Sequence, residues 1–276
     1  MKKLPYLGII TILTISIFYL FFSKKNNLRE FNFTYNINLD SSEEKVEVWI
    51  PIPQSNEVQT ITQLNFNYGT MECQKEIEVK HNNKYYYCYA NNLKDPTKLS
   101  LTWRIKRSEH GATQYTNTDP ENYRKGTNNR TVPEGGLFNP IIKQNGLKNT
   151  DVREIYNYVL SGMHYGKPKT ISEKDLYYGG KNPKTQKQWL PENQTYGQKQ
   201  VSKNEVVNTY LRSKNDKTLK EYTFGNGNSL YACDIGVGNC TDYHSYFMSL
   251  CRSLDIPVRF HMGFSIPDKK GQEEGI

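Results

Sequence analysis

The chain has 276 residues, which is enough for one large domain or two smaller ones. Hydrophobic residues make up 36% of the sequence and charged residues 23%, so the chain can form a packed core. The formal net charge is +8, but the basic residues are spread along the chain and no recognition motif accompanies them. This pattern argues against a nucleic-acid-binding protein.

The N-terminus carries a long, predominantly apolar run, residues 4–22, with lysines on both sides. Such a run is typical of a signal peptide or of a helix that spans a bilayer. No Ala-x-Ala cleavage motif and no lipoprotein cysteine follows it, which favours retention as an anchor. We therefore expect residues 1–26 to be a signal peptide or an N-terminal membrane anchor. The rest of the protein is then expected outside the cytoplasm, in the periplasm or cell envelope, either membrane-anchored or secreted.

Residues 28–110 have the pattern of a β-strand domain. Apolar and polar residues alternate with the period of half-buried strands, and turn signals separate the segments. This pattern predicts six short strands in a small antiparallel sandwich. The predicted strands are 31–39, 46–50, 64–68, 76–79, 85–89 and 99–105.

The chain contains five cysteines, and an exported protein can oxidise them. Cys73 and Cys88 lie in neighbouring predicted strands and are candidates for a disulfide, which the sequence alone does not establish. The odd count leaves at least one free thiol. No Cys or His cluster has zinc-binding spacing, so neither a metal site nor a cofactor is predicted.

A linker, a helix and an insertion are predicted next. Residues 111–149 are rich in Gly, Asn, Pro and Thr, which is typical of a linker. Apolar residues of helical spacing then predict a helix that Thr150 caps and Gly162 ends. Residues 166–221 are largely polar and are interpreted as a long surface insertion, with one short helix near its end.

The last seventy residues centre on Cys240. A flexible glycine-rich loop is predicted at 225–228, and Gly236 and Gly238 bracket the approach to the cysteine. From Cys240 onward, apolar residues keep helical spacing on one face, and the helix is predicted to stop near Pro257. Residues 258–264 are predicted to form a strand.

This layout favours a reactive thiol at Cys240. Unpaired N–H groups and the helix dipole place partial positive charge at a helix N-terminus, which stabilises a thiolate. Such a thiolate attacks acyl carbon atoms, and the same N–H groups can hold the developing oxyanion. The alternative interpretation makes Cys240 a small buried residue at a loop–helix junction, because free cysteine is commonly buried.

The segment 238–245, Gly-Asn-Cys-Thr-Asp-Tyr-His-Ser, resembles the nucleophile motif of bacterial transglutaminase-like proteins. The continuation Ile-Pro-Val-Arg-Phe at 256–260 resembles the same family, and weaker similarity extends over most of residues 31–276. The resemblance implies an α+β protein, in which an antiparallel β-sandwich-like domain precedes a papain-like thiol core at 150–276. It also implies that Cys240 is the nucleophile and that the substrate is a peptide or protein. The reaction would be thiol acyl transfer or hydrolysis of a peptide or amide.

Two departures from the family pattern matter. Asp255 stands where the family usually has glycine at a helix end, and aspartate tolerates the left-handed backbone expected there. The family also continues with a Tyr-His-x-Trp strand that carries the catalytic histidine, and a later strand supplies an aspartate. The given chain stops before both, so we expect an incomplete core with an unpaired sheet edge, a poorly covered helix face and impaired catalysis.

Two histidines and two other functions remain as alternatives. His244 is one helical turn after Cys240 and shares its helix face, so it can replace the missing base, although an exposed helix-face residue is the commoner interpretation. His261 is a weaker candidate for the same role. The protein can instead be a non-catalytic binding or scaffold module of the cell envelope, or the product of a broken gene.

Overall fold

The computed structural model describes residues 28–112, 116, 118–126, 135–166, 193–264 and 266. They form two compact units, one up to residue 117 and one from Thr118. Residues 1–26, predicted to be the targeting segment, lie outside the described residues, as do residues 167–192 of the predicted insertion. Within the described ranges, no helix is both long enough and apolar enough to cross a bilayer.

The first unit consists of two antiparallel sheets of three strands each, in the orders β1-β6-β3 and β2-β5-β4. The prediction of an antiparallel strand region is confirmed, although the strands are longer than or offset from the predicted segments. The strands are β1 Leu28–Leu39, β2 Val46–Pro51, β3 Gln59–Asn67, β4 Glu72–Ile77, β5 Lys84–Ala90 and β6 Thr97–Ser108.

Side-chain alternation along β6 builds the core of this unit. Leu99, Leu101 and Trp103 are fully or almost fully buried, because every second residue of a strand faces the same side. Ile50 from β2 and Cys88 from β5 belong to the same apolar cluster, so both sheets contribute to one core. The first unit is therefore a β-sandwich, as the sequence predicts.

The predicted disulfide between Cys73 and Cys88 is present. The two residues are directly opposite each other in the register of β4 and β5. Cys88 is fully buried in the core of the sandwich, so the bond joins a core position to the neighbouring strand.

The second unit is built mainly from helices, with α5 at its centre. This helix packs against α1, α2 and α4. Two two-residue strands, β7 and β8, form a small parallel pair. The elements are α1 Phe138–Gln144, α2 Val152–Gly162, β7 His164–Tyr165, α3 Lys203–Asn215, α4 Ser229–Ile235, β8 Val237–Gly238 and α5 Cys240–Ser253, with 3-10 turns at Pro120–Tyr123 and Lys217–Leu219.

Residues 111–149, predicted to be a linker, contain a helix that contributes to the core. Phe138 and Ile141 of α1 are buried in the same apolar cluster as Leu250 of α5. Part of the predicted insertion is also packed, since Tyr196 and Val206 are buried in a second apolar cluster. These two segments look polar overall because their buried residues are few and widely spaced.

Several details of the second unit differ from the predictions. Asp151, rather than Thr150, caps α2, with its carboxylate accepting a hydrogen bond from the N–H of Glu154 at 2.9 Å. Residues 258–264 form no strand. The helix face predicted to be poorly covered includes Leu250, which is fully buried. The left-handed backbone expected at Asp255 is confirmed by its φ of 61°.

Removing the disulfide should destabilise the first unit. We expect the Cys73→Ala/Cys88→Ala variant to lose about 3 kcal/mol of unfolding free energy, because closing a loop of this length restricts the unfolded chain. Urea unfolding, monitored by the fluorescence of the buried Trp103, measures this loss. A reductant should lower the urea concentration at the unfolding midpoint of the wild type and leave that of the variant unchanged. Equal midpoints for the oxidised wild type and the variant would contradict the expectation.

Candidate active site

Cys240 is the first residue of α5, as predicted. Two side chains cap the turn that begins there. The side-chain oxygen of Asn239 accepts a hydrogen bond from the N–H of Thr241 at 2.9 Å. The carboxylate of Asp242 reaches back and accepts one from the N–H of Asn239 at 3.0 Å. This reciprocal arrangement is a capping box, and it fixes the backbone on either side of the cysteine.

The carboxylate of Asp242 also holds the glycine-rich loop before α4. It accepts hydrogen bonds from the N–H of Gly225 at 2.9 Å and from that of Gly227 at 3.2 Å. Both glycines have positive φ, 76° and 67°, which directs their N–H groups inward at little steric cost. The loop predicted to be flexible is therefore tied to the first turn of α5.

The strand pair β7–β8 places Tyr165 beside this turn. Tyr165 lies opposite Gly238, two residues before Cys240, in the parallel register. Its ring centroid is 6.3 Å from that of Tyr243 on α5. Partial burial, followed by the nearby charges of Cys240 and Asp242, raises the pKa of the Tyr165 phenol. The phenol thus stays protonated near neutral pH, and the strand pairing places this residue near the first turn of α5.

The three free cysteines differ sharply in exposure. Cys240 is exposed, whereas Cys233 and Cys251 are buried. Burial raises the pKa of the Cys233 thiol to about 11 and that of the Cys251 thiol to about 12. The alternative that Cys240 is a buried structural residue is therefore wrong, and it is the accessible thiol of the three.

The N–H of Cys240 differs from those of its two neighbours in its hydrogen bonding. The N–H groups of its neighbours Asn239 and Thr241 are taken up by the capping box. Across the part of the chain that the structure describes, no acceptor pairs with the N–H of Cys240. An unpaired donor next to the thiol is what an oxyanion at an attacked carbonyl group requires.

In the part of the chain that the structure describes, the candidate bases are not hydrogen-bonded to the thiol. The Nδ1 atom of His244 donates a hydrogen bond to the backbone oxygen of Cys240 at 2.5 Å. The centroid of the imidazole ring lies 5.1 Å from that of the Phe260 ring. His261 lies in the exposed segment after α5, where partial burial and the charge of Arg259 lower the pKa of its imidazole. Among the described residues, no hydrogen bond joins an imidazole to the Sγ atom of Cys240.

The sequence predicts Cys240 as the site residue but gives no position to Asp242 or Tyr165 beside it. The Asn-x-x-Asp spacing of residues 239–242 is a capping-box signal that was available in the sequence. The proximity of Tyr165 has no comparable local signal, because it depends on the pairing of β7 with β8. Within the described residues, no group of His, Cys, Asp and Glu side chains is arranged to hold a metal ion.

The comparisons with known proteins bear on the region around Cys240. Residues 187–275 match the model of the transglutaminase-like superfamily, so the part of the chain that contains the capped cysteine is similar to that superfamily. No curated protein matches the chain. A crystal structure described as that of a "putative cysteine protease" from Cytophaga hutchinsonii is similar, with 13% sequence identity and a TM-score of 0.46. That alignment covers 84% of this chain and 65% of the other.

Alkylation should be selective for Cys240. At pH 8, limited treatment with iodoacetamide is expected to modify Cys240 first, since burial keeps the other two free thiols protonated and out of reach. Peptide mapping by mass spectrometry identifies the labelled residue, and the Cys240→Ala variant should take up no label under the same conditions. Labelling of Cys251 as fast as Cys240 would contradict the assignment.

A side chain at Gly238 should disturb the same turn. A Cβ atom there would lie 2.5 Å from the Cβ atom of Asp242 and 2.6 Å from its Oδ2 atom. We expect Gly238→Ala to lower the unfolding free energy by about 1–3 kcal/mol, as overpacking of a buried site does. Thermal unfolding measures this, with Gly162→Ala as the matched control because a Cβ atom there meets nothing within 4 Å. Equal effects of the two substitutions would show that the turn is not tightly packed.

Proposed function

We propose that this protein is a cysteine-dependent, transglutaminase-like enzyme in which the thiolate of Cys240 attacks the acyl carbon of a peptide or amide. The observation that carries the proposal is the position of this thiol. It is exposed at the first residue of a capped helix, whereas the other two free thiols are buried. The match of residues 187–275 to the transglutaminase-like superfamily supports the same chemistry.

The site offers parts of a thiol acyl-transfer reaction. The sulfur of Cys240 forms a bond to the acyl carbon, and the carbonyl oxygen becomes an oxyanion that the N–H of Cys240 can stabilise. Collapse of this intermediate breaks the bond to the leaving amine, which takes up a proton, and leaves a thioester. Attack of water or of a second amine on the thioester carbon then breaks the C–S bond and releases the thiol of Cys240, which gives hydrolysis or transfer.

General acid–base catalysis is the part of the reaction that the described residues do not supply. His244 is held on the backbone oxygen of Cys240, and no imidazole is hydrogen-bonded to the thiol. A positioned acid or base typically contributes about 10²–10⁴-fold to the rate. We therefore propose that residues 1–276 form a thioester but turn over peptide or amide substrates slowly.

A non-catalytic role in the cell envelope is the second candidate, and an exposed aromatic surface on the first unit favours it. Trp49 in β2 is 58% exposed, and its ring centroid lies 5.5 Å from that of Tyr87 in β5. Exposed aromatic side chains are enriched at binding surfaces. In this case Cys240 would carry no reaction, and replacing it would leave the biological activity intact.

An acyl donor with a good leaving group tests the proposed nucleophile directly. Treatment with p-nitrophenyl acetate should release about one equivalent of p-nitrophenolate rapidly and leave an acetyl group on Cys240, because a thiolate displaces this leaving group without help from an acid. The Cys240→Ala variant should give neither the burst nor the adduct. Acetylation elsewhere, with Cys240 unmodified, would contradict the proposal.

Export of the protein is also proposed, with contact to the membrane through residues 4–22 if that segment is retained. The apolar run at the N-terminus and the disulfide between Cys73 and Cys88 support an oxidising compartment. In cells that produce a C-terminally tagged chain, we expect the tag in the membrane or periplasmic fraction with this disulfide formed. Recovery in the cytosol with an intact N-terminus and reduced cysteines would contradict export.

A further inference from the structure

The carboxylate of Asp242 is fully buried, yet it serves no step of the reaction described above. Three backbone N–H groups converge on it, from Gly225, Gly227 and Asn239. The first two belong to the loop before α4 and the third is the cap of α5. One side chain therefore joins two parts of the chain to the turn that carries the thiol.

A buried carboxylate needs such partners. Burial disfavours the charged form and raises the pKa of Asp242, while the three N–H groups act in the opposite direction by stabilising the ionised form. An acceptor with two oxygens satisfies all three donors, since Oδ2 accepts from Gly225 and Asn239 and Oδ1 accepts from Gly227. An amide side chain of the same size has only one such oxygen and would turn its own donors toward an N–H group.

The loop is also packed closely against both neighbours of the nucleophile. A Cβ atom at Gly227 would lie 2.8 Å from Cγ2 of Thr241, and one at Gly225 would lie 3.0 Å from Nδ2 of Asn239. Because residues 239 and 241 flank Cys240, any movement of the loop is transmitted to the backbone of the cysteine. The carboxylate of Asp242 holds this loop to the first turn of α5, and the side chain of Asn226 ties it to the backbone oxygens of Lys220 and Glu221.

We propose that Asp242 is a positioning residue for acyl transfer, which fixes the N–H of Cys240 and its thiol in one relative orientation by holding the loop at 225–227. The inference rests on the proposed function and deepens it, because it names the residue that keeps the oxyanion donor beside the nucleophile. Asp242 touches no reacting atom and acts through the backbone of Cys240.

Two reactions of the same thiol separate positioning from general stability. With iodoacetamide, the thiolate forms a bond to carbon and iodide leaves, and no oxyanion arises. With p-nitrophenyl acetate, the thiolate adds to a carbonyl carbon, an oxyanion forms, and p-nitrophenolate then leaves. The ratio of the acylation rate to the alkylation rate at Cys240 therefore reports on the oxyanion donor and not on exposure of the thiol alone.

We expect Asp242→Asn to lower this ratio about tenfold or more, since loss of one oxyanion donor typically costs about 10²–10³-fold in rate. The matched control is Asp234→Asn, which removes a carboxylate that contacts the side chains of Lys199 and Tyr222 instead of backbone N–H groups. That control should leave the ratio unchanged. Peptide mapping checks that both reagents modify Cys240 in each variant.

The outcomes distinguish this inference from the proposed function. If the wild-type ratio equals that of free glutathione, the proposed function fails. If the wild-type ratio exceeds that of glutathione and Asp242→Asn leaves it unchanged, the role of Asp242 is overturned. If the variant does not fold, hydrogen exchange of the backbone amides in the wild type tests the role of Asp242 instead. Slow exchange of the Gly225 and Gly227 amides supports the inference, and exchange at the rate of an unstructured peptide overturns it.

Discussion

The capped first turn of α5 is the constraint on which the site depends. A helix begins with N–H groups that have no partner inside the helix, and here the side chains of Asn239 and Asp242 take up those that flank the cysteine. The N–H of Cys240 is left beside an exposed thiol. Because Asp242 also binds the loop at 225–227, the same interaction orders the segment that leads into α4.

Burial along one helix explains why the free thiols at its two ends differ in exposure. Cys251 lies in the last turns of α5, inside the apolar cluster formed with α1 and α2, and burial raises the pKa of its thiol to about 12. Cys240 lies at the opposite end, where the helix leaves the core. The packing that anchors α5 thus protects one cysteine and exposes the other.

Local sequence patterns predicted the parts of the structure that are determined locally. Strand alternation, the helix that begins at Cys240 and the left-handed backbone at Asp255 all follow from short-range sterics and hydrogen bonding. The helix α1, which buries Phe138 and Ile141, was missed because it has only about two turns and includes Pro140, so the composition around it resembles a linker. The strand predicted at 258–264 did not form, because a strand depends on a partner that its own sequence does not specify. The proximity of Tyr165 to the thiol is likewise a product of strand pairing.

The central claim is that Cys240 attacks an acyl carbon while its own N–H holds the oxyanion. A crystal structure of the protein soaked with a peptide aldehyde tests this most directly, because an aldehyde forms a stable adduct with a thiolate that resembles the tetrahedral intermediate. We predict a covalent bond from Sγ of Cys240 to the aldehyde carbon, with the adduct oxygen within hydrogen-bonding distance of the N–H of Cys240. An adduct on another residue, or an oxygen that points away from that N–H group, would contradict the account.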